Sequence, residues 1–155
     1  MLLHSSQAQE KTETMDESAR GAIELAIALR DAHFQLKRLA GRWEDQLPAG
    51  TVQDRGSLGP TWHYGEDPRQ AAYLDGQTLL LTQGRTLTCE LIISLHADQV
   101  DMLARAAWES DDQSDGADLA STGPLEFPTS SRRLAQEIRQ CVEHLAATAL
   151  TTLTR

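Results

Sequence analysis

Cysteine and histidine are the residues in this chain best suited to nucleophilic or metal chemistry, and the chain has two cysteines and five histidines. Cys141 and His144 lie three residues apart in a stretch with helical periodicity, so one turn places the thiol and the imidazole on the same side. Such a pair could supply two ligands of a zinc site or part of a Cys-His nucleophile. Both kinds of site need further groups, and the sequence forces no third group toward this pair.

The second thiol, Cys89, falls on the apolar face of a predicted strand, where a buried cysteine is commonly structural. His33 or His96 could approach it, but nothing in the sequence requires this. The two cysteines are too far apart in sequence to suggest a disulfide framework, so we interpret both as free thiols. We therefore expect no catalytic residue, no metal ligand and no cofactor.

An aromatic segment is the next candidate, because residues 48–70 form a long loop with a short predicted strand at Thr61-Trp62-His63-Tyr64. Long loops in compact domains often carry function. The plainer interpretation is that these side chains fold onto the core. The enzyme alternative needs the Trp62-His63-Tyr64 loop to meet residues of the last predicted helix in one cleft, namely Cys141, His144 and Glu137.

An acidic segment lies within residues 109–124, which we predict to be a flexible loop. A calcium site is disfavoured there, because Gln113 and Thr122 occupy positions where an EF-hand loop has acidic ligands. Clustered acids repel one another and stay extended unless a basic partner compensates them. An acidic inhibitor or mimic that binds a nucleic-acid-binding protein is thus an alternative function. Its contact residues would be Asp111, Asp112, Asp115 and Asp118.

The elements that must position these groups centre on an antiparallel β-meander over residues 71–95. Asp75-Gly76 suits a two-residue turn, and Gly84 suits the left-handed position of a three-residue turn with a bulge. The second turn sets the register, with Leu79 opposite Leu87 and Gln77 opposite Cys89. One face of this sheet is then apolar: Leu79, Leu81, Leu87, Cys89, Leu91, Ile93 and Leu95.

Three helices are predicted around this sheet. A capping box at Thr14 begins a long N-terminal helix whose apolar stripe runs from Leu25 to Leu47, ending before Pro48. A second helix begins near His96 and continues to Trp108, and a third begins near Ser130. The predicted fold is α+β, with an antiparallel three- to four-stranded β-meander covered by the long N-terminal helix and two C-terminal helices.

The domain organisation follows from length and composition. Residues 1–13 are polar and irregular, so we predict a disordered tail, and Met15 could be the true start. Residues 14–155 form a single domain.

The balance of 14 basic and 23 acidic residues gives a net charge of -9, which disfavours direct nucleic-acid binding. No run of about 18 apolar residues and no signal peptide is present, so we expect a cytoplasmic protein with no membrane contact. Lysine is rare among the basic residues and asparagine is absent, which fits a bacterial source.

The function predicted from these features is non-enzymatic protein-protein binding, as an adaptor, a regulator or a chaperone-like protein. The N-terminal helix is longer than the sheet, so its last turns would lack an intrachain partner. Exposed apolar side chains along one stripe mark association sites. We therefore predict a homodimer with Leu36, Leu39 and Trp43 at its contact surface, and a further protein partner of unknown identity.

Overall fold

A computed structural model describes residues 2–67, 70–82, 84–96, 99–110, 117–121, 125–128 and 131–153, with side chains for 19–67, 70–82, 84–96, 100–109 and 131–149. The chain begins with helix α1 (Leu2–Gln46) and ends with helix α2 (Ser131–Leu153). In the described ranges between them lie seven strands: β1 (Val52–Ser57), β2 (Thr61–Tyr64), β3 (Ala71–Leu81), β4 (Arg85–His96), β5 (Gln99–Ser110), β6 (Ala117–Ser121) and β7 (Leu125–Pro128).

The strands form one antiparallel sheet with three long central strands, β3, β4 and β5. The short strands β1 and β2 pair with successive parts of β3 along one edge. The short strands β6 and β7 pair in the same way with β5 along the opposite edge. The fold is therefore α+β with an antiparallel sheet, and the sheet is wider than the predicted three or four strands.

The β3–β4 hairpin has the predicted register, with Leu79 opposite Leu87 and Gln77 opposite Cys89. Gly84 has a φ of 73° and its amide donates to the carbonyl oxygen of Leu81 at 3.1 Å. This left-handed conformation is one that glycine adopts at little cost. The turn therefore has glycine where the backbone requires it.

The predicted turn at Asp75-Gly76 is wrong, because β3 runs through both residues without a break. Asp75 lies opposite Leu91, and Gly76 lies opposite Glu90. A side chain at Gly76 would place its Cβ 2.7 Å from the carbonyl oxygen of Cys89. The glycine thus permits close packing within a strand rather than a change of chain direction.

The predicted helix from His96 to Trp108 is also wrong, because His96 is the last residue of β4 and residues 99–108 lie in strand β5. Buried residues recur along it with a period of two, at Val100, Met102, Ala104 and Ala106, and Ala107 is buried as well. Alanine fits a helix and a strand equally well in such a short apolar run, so the local pattern is ambiguous and pairing with β4 along its whole length decides it. In the described part of the chain, α2 is the one helix that follows the sheet, where two were predicted.

Both helices cover the same face of the sheet. Helix α1 contacts β3 and β4, whereas α2 contacts β5 and β6. The start of α2 lies beside Gly21 and Glu24 of α1, where the guanidinium of Arg132 is 3.8 Å from the Glu24 carboxylate. Because α2 continues from there across β5 and β6, the two helices run in the same direction. Their apolar stripes and one face of the sheet share a single core.

Helix α1 does extend beyond the sheet, but at its N-terminal end. Among the side chains of α1 that the structure describes, those in contact with the core lie between Leu25 and Leu47. The helix begins at Leu2 rather than at Thr14, so residues 2–13 are helical and not irregular. Whether this segment is mobile, and whether Met15 is the true start, stay predictions.

Candidate functional site

The three apolar residues predicted as a contact surface lie inside the protein. Leu36, Leu39 and Trp43 are all buried against the sheet. The expectation that they lack an intrachain partner is wrong, because α1 passes over β3 and β4 with its C-terminal half. These side chains are therefore unavailable to a second copy of the folded chain.

The predicted acidic contact residues fall mostly outside the described part of the chain. This holds for Asp111, Asp112 and Asp115. Asp118 lies in strand β6, opposite Ala107 of β5. The predicted loop 109–124 therefore contains a paired strand, whereas residues 111–116 and 122–124 lie outside the described residues. The role of these acids as a partner surface stays a prediction.

The residues of the enzyme alternative lie on opposite sides of the molecule. Trp62, His63 and Tyr64 form the edge strand β2, which pairs with β3. Cys141 is buried on α2, which packs over β5 and β6, and His144 on the same helix is exposed. The Glu137 carboxylate is 3.5 Å from Arg133 on its own helix. The structure does not bring these groups into one cleft.

A buried polar cluster that the sequence analysis does not predict lies between α1 and the sheet. The Asp75 side chain is 0% exposed and its oxygens lie 3.0 and 3.1 Å from Nδ1 of His33. The Tyr73 hydroxyl donates to Oδ2 of Asp75 at 3.4 Å. These residues meet because His33 lies on the flank of α1 above β3, and Tyr73 and Asp75 alternate inward along that strand. Because Asp75-Gly76 is typical of a turn, the sequence does not predict that the strand continues through these residues.

Burial in the core favours the protonated forms of the Tyr73 phenol and the Cys89 thiol. Burial, with the charge of Asp75 beside it, raises the pKa of Tyr73. Burial raises the pKa of the Cys89 thiol to about 12. The thiol donates to the carbonyl oxygen of Leu36 at 3.6 Å. Because a thiolate is the nucleophilic form, Cys89 is suited to packing rather than to catalysis.

A small open hollow of about 310 Å³ lies at one end of the sheet, between the β2–β3 connection and the end of β4. His63, Tyr64, Ser94 and His96 are among its lining residues. His96 lies 3.0 Å from Asp101, so this imidazole already has a carboxylate partner. The described residues contain no group of three or more His, Cys, Asp or Glu side chains that could hold a metal ion.

The face of the sheet opposite the helices carries a row of apolar side chains across its three central strands. Leu74, Ile92 and Leu103 lie directly opposite one another on β3, β4 and β5, and each is partly exposed. Leu80 on the same face of β3 is 41% exposed. None of the described helices covers this surface, which we call the helix-free face. It consists of the outward residues of the three central strands.

A charged pair lies beside this apolar row. Arg105 of β5 is directly opposite Glu90 of β4, and the two side chains approach to 3.6 Å. Their exposures are only 31% and 16%, so both charges are partly withdrawn from water. Burial raises the pKa of Glu90, while Arg105 opposes this shift.

No protein family model, no curated protein and no solved structure matches this chain. Among the described residues, no helix combines the length and the apolar character needed to cross a membrane.

Proposed function

We propose that this protein acts by binding another protein through the helix-free face of its sheet, without enzymatic activity. In this role it is an adaptor, a regulator or a chaperone-like protein in the cytoplasm of a bacterial cell. The observation that carries the proposal is the row of Leu74, Ile92 and Leu103 across three central strands. An antiparallel sheet with a solvated face commonly carries polar residues there, so an apolar row needs a reason.

The arrangement of these apolar residues side by side on paired strands indicates a binding surface. Single exposed apolar side chains are common on soluble proteins and need no explanation. Here three apolar residues adjoin on paired strands, and Leu80 adds a fourth on the same face. Protein interfaces combine such apolar patches with neighbouring charged and polar residues, and here the charged row of Glu90 and Arg105 adjoins the apolar row.

The arrangement of reactive groups gives no comparable support for catalysis. Among the described residues of the core, the close His-carboxylate contact is that of His33 with Asp75, and it joins α1 to β3. The nearby thiol of Cys89 is buried and protonated. A nucleophilic site would need a thiolate in an open, electropositive setting.

The test is capture of partner proteins from a lysate of the source organism on the immobilised protein. We expect Ile92→Lys to reduce the captured protein at least about tenfold, because it places a charge in the centre of the apolar row. Ile23→Lys is the matched control, since Ile23 is 59% exposed on α1, away from this face. Circular dichroism checks that both variants are folded, and quantitative mass spectrometry measures the captured proteins. Equal capture by wild type and both variants would contradict the proposal.

A further inference from the structure

The helix-free face is built of rows that run across the three central strands. The register gives these rows in order along the strands: Ala72, Ser94 and Asp101; Leu74, Ile92 and Leu103; Gly76, Glu90 and Arg105; Thr78, Thr88 and Ala107; Leu80, Thr86 and Glu109. The charged row is the central one of the five. The apolar row lies on one side of it, and a row with two threonines lies on the other.

We propose that the helix-free face binds a second copy of this chain, about a two-fold axis that runs parallel to the strands between β4 and β5. The inference rests on the proposed function, because it names the protein that the face binds. Such an interface is isologous, so the same patch on each copy must complement itself.

The charges select this axis. Rotation about it lays β4 of one copy over β5 of the other while each row stays opposite the same row. Glu90 of each copy then faces Arg105 of the other, and Ile92 of each copy faces Leu103 of the other. An axis across the strands, along the charged row, would instead lay Glu90 over Glu90 and the apolar row over the threonines. Like charges face to face are costly, so the first arrangement is favoured.

The partial burial of the charged pair is consistent with this role. Glu90 and Arg105 are already partly withdrawn from water in the single chain. When the dimer buries Glu90 and Arg105 further, each of these side chains has an opposite charge on its own sheet and another on the facing sheet. A charge that is buried without an opposite charge beside it would destabilise the dimer.

The side of the whole sheet that the helices leave open is wide enough for a stable dimer when the edge strands are included. Strands of 11 and 12 residues extend about 40 Å, and the three central strands with one edge position on each side span about 24 Å, which gives a surface on the order of 900 Å². Thr88 and Ala107 add little to it, because both are already buried in the single chain. Standard interfaces bury about 800 Å² on each partner. Two sheets can pack face to face at about 10 Å with their strands nearly aligned.

The experiment is a charge exchange between two variants, each followed by analytical ultracentrifugation. Glu90→Arg and Arg105→Glu each make the charged row carry a single sign. Each variant alone should self-associate at least about tenfold more weakly than wild type, because like charges then face each other across the axis. An equimolar mixture should form a one-to-one heterodimer, since the two altered rows are complementary. Fluorescent labelling of one variant identifies the mixed species.

Several outcomes would overturn the proposal. A wild-type protein that remains monomeric at about 100 µM would do so, because the dimer population depends on protein concentration. A dimer that survives both charge variants would place the interface elsewhere, and two folded monomeric variants that fail to associate when mixed would exclude the Glu90–Arg105 contact. If a charge variant does not fold, Ile92→Lys tests the same face with both charges retained, and an unaffected dimer would again overturn the proposal.

These results are distinguishable from failure of the proposed function. If the wild type is monomeric but Ile92→Lys still loses a captured protein, the face binds a different protein and only the second-copy inference is wrong. If Ile92→Lys changes neither self-association nor capture, both proposals are wrong.

Discussion

His33 of α1 contacts both carboxylate oxygens of Asp75 of β3, with its Nδ1 atom 3.0 and 3.1 Å from them. Because carboxylate oxygens accept hydrogen bonds, Nδ1 is the donor. Asp75 is fully buried, so this contact satisfies a polar group that would otherwise be costly in the core. Helix α1 is thereby held to the sheet by a specific polar contact as well as by apolar packing.

The first prediction concerns this contact. His33→Ala should lower the free energy of unfolding by about 2 to 4 kcal/mol, because it leaves the buried carboxylate of Asp75 without its closest donor. Urea denaturation measures the change. His63→Ala is the matched control, since His63 is exposed on β2 and its loss should change stability by less than about 0.5 kcal/mol. Equal effects of the two substitutions would show that the His33–Asp75 contact contributes little.

The second prediction is that Cys89 is inert in the folded protein. In a Cys141→Ser background, a thiol reagent at pH 8 should label Cys89 slowly, and denaturant should make labelling fast. The reason is that the thiol is buried and its pKa is raised to about 12. Fast labelling of the native protein would contradict both the burial and the inward register of β4.

The raised pKa of Cys89 also fixes the sign of a pH effect. Its value in the folded state lies above the usual 9.0, so the protonated thiol favours folding below about pH 9. This contribution is lost as the pH rises from about 9 to 12. Wild type should therefore lose stability more steeply than Cys89→Ala over this range, as urea denaturation at several pH values would measure. Parallel curves for the two proteins would contradict the shift.

The parts of the fold that the sequence predicted are those with a local chemical signal. Gly84 is needed at a left-handed position, which fixed the β3–β4 register and the inward face of β4. Strand β5 had no such signal, because Ala104 and Ala106 fit either period and only pairing with β4 decides between them. Asp75 was missed for the opposite reason: its Asp-Gly sequence is typical of a turn, yet Gly76 is required by close strand packing.

The candidate site was less predictable than the fold. The row of Leu74, Ile92 and Leu103 joins three strands, so it exists only once the register of both hairpins is known. The sequence alone predicts that Leu103 lies in a helix and that Leu74 ends a strand before a turn. Because strand β5 is not predicted from the sequence, the apolar row of the helix-free face is not predicted either.

The third prediction is the absence of stoichiometric metal. Cys141 is buried and His144 is exposed on α2, so the two side chains do not present a common site. Elemental analysis of protein purified without a metal-affinity step should find less than about one zinc per ten chains. A full equivalent of zinc that disappears in Cys141→Ser would contradict this expectation.

The last prediction compares two glycines that the structure places in opposite circumstances. Gly41 is exposed within α1, and a Cβ built on it meets nothing within 4 Å. Gly41→Ala should therefore raise the free energy of unfolding by up to about 1 kcal/mol, since alanine favours the helix and restricts the unfolded chain. Gly84 has a φ of 73° in the β3–β4 turn, a conformation that strains other residues. Gly84→Ala should lower the free energy of unfolding by about 1 kcal/mol.

The two substitutions add the same methyl group, so each is the control for the other, and urea denaturation measures both. Opposite signs are expected because the backbone conformations differ while the change in side chain does not. A destabilising Gly41→Ala would indicate that α1 is interrupted near that residue. A neutral Gly84→Ala would indicate a different turn between β3 and β4, and the rows of the helix-free face would then lose the register on which they depend.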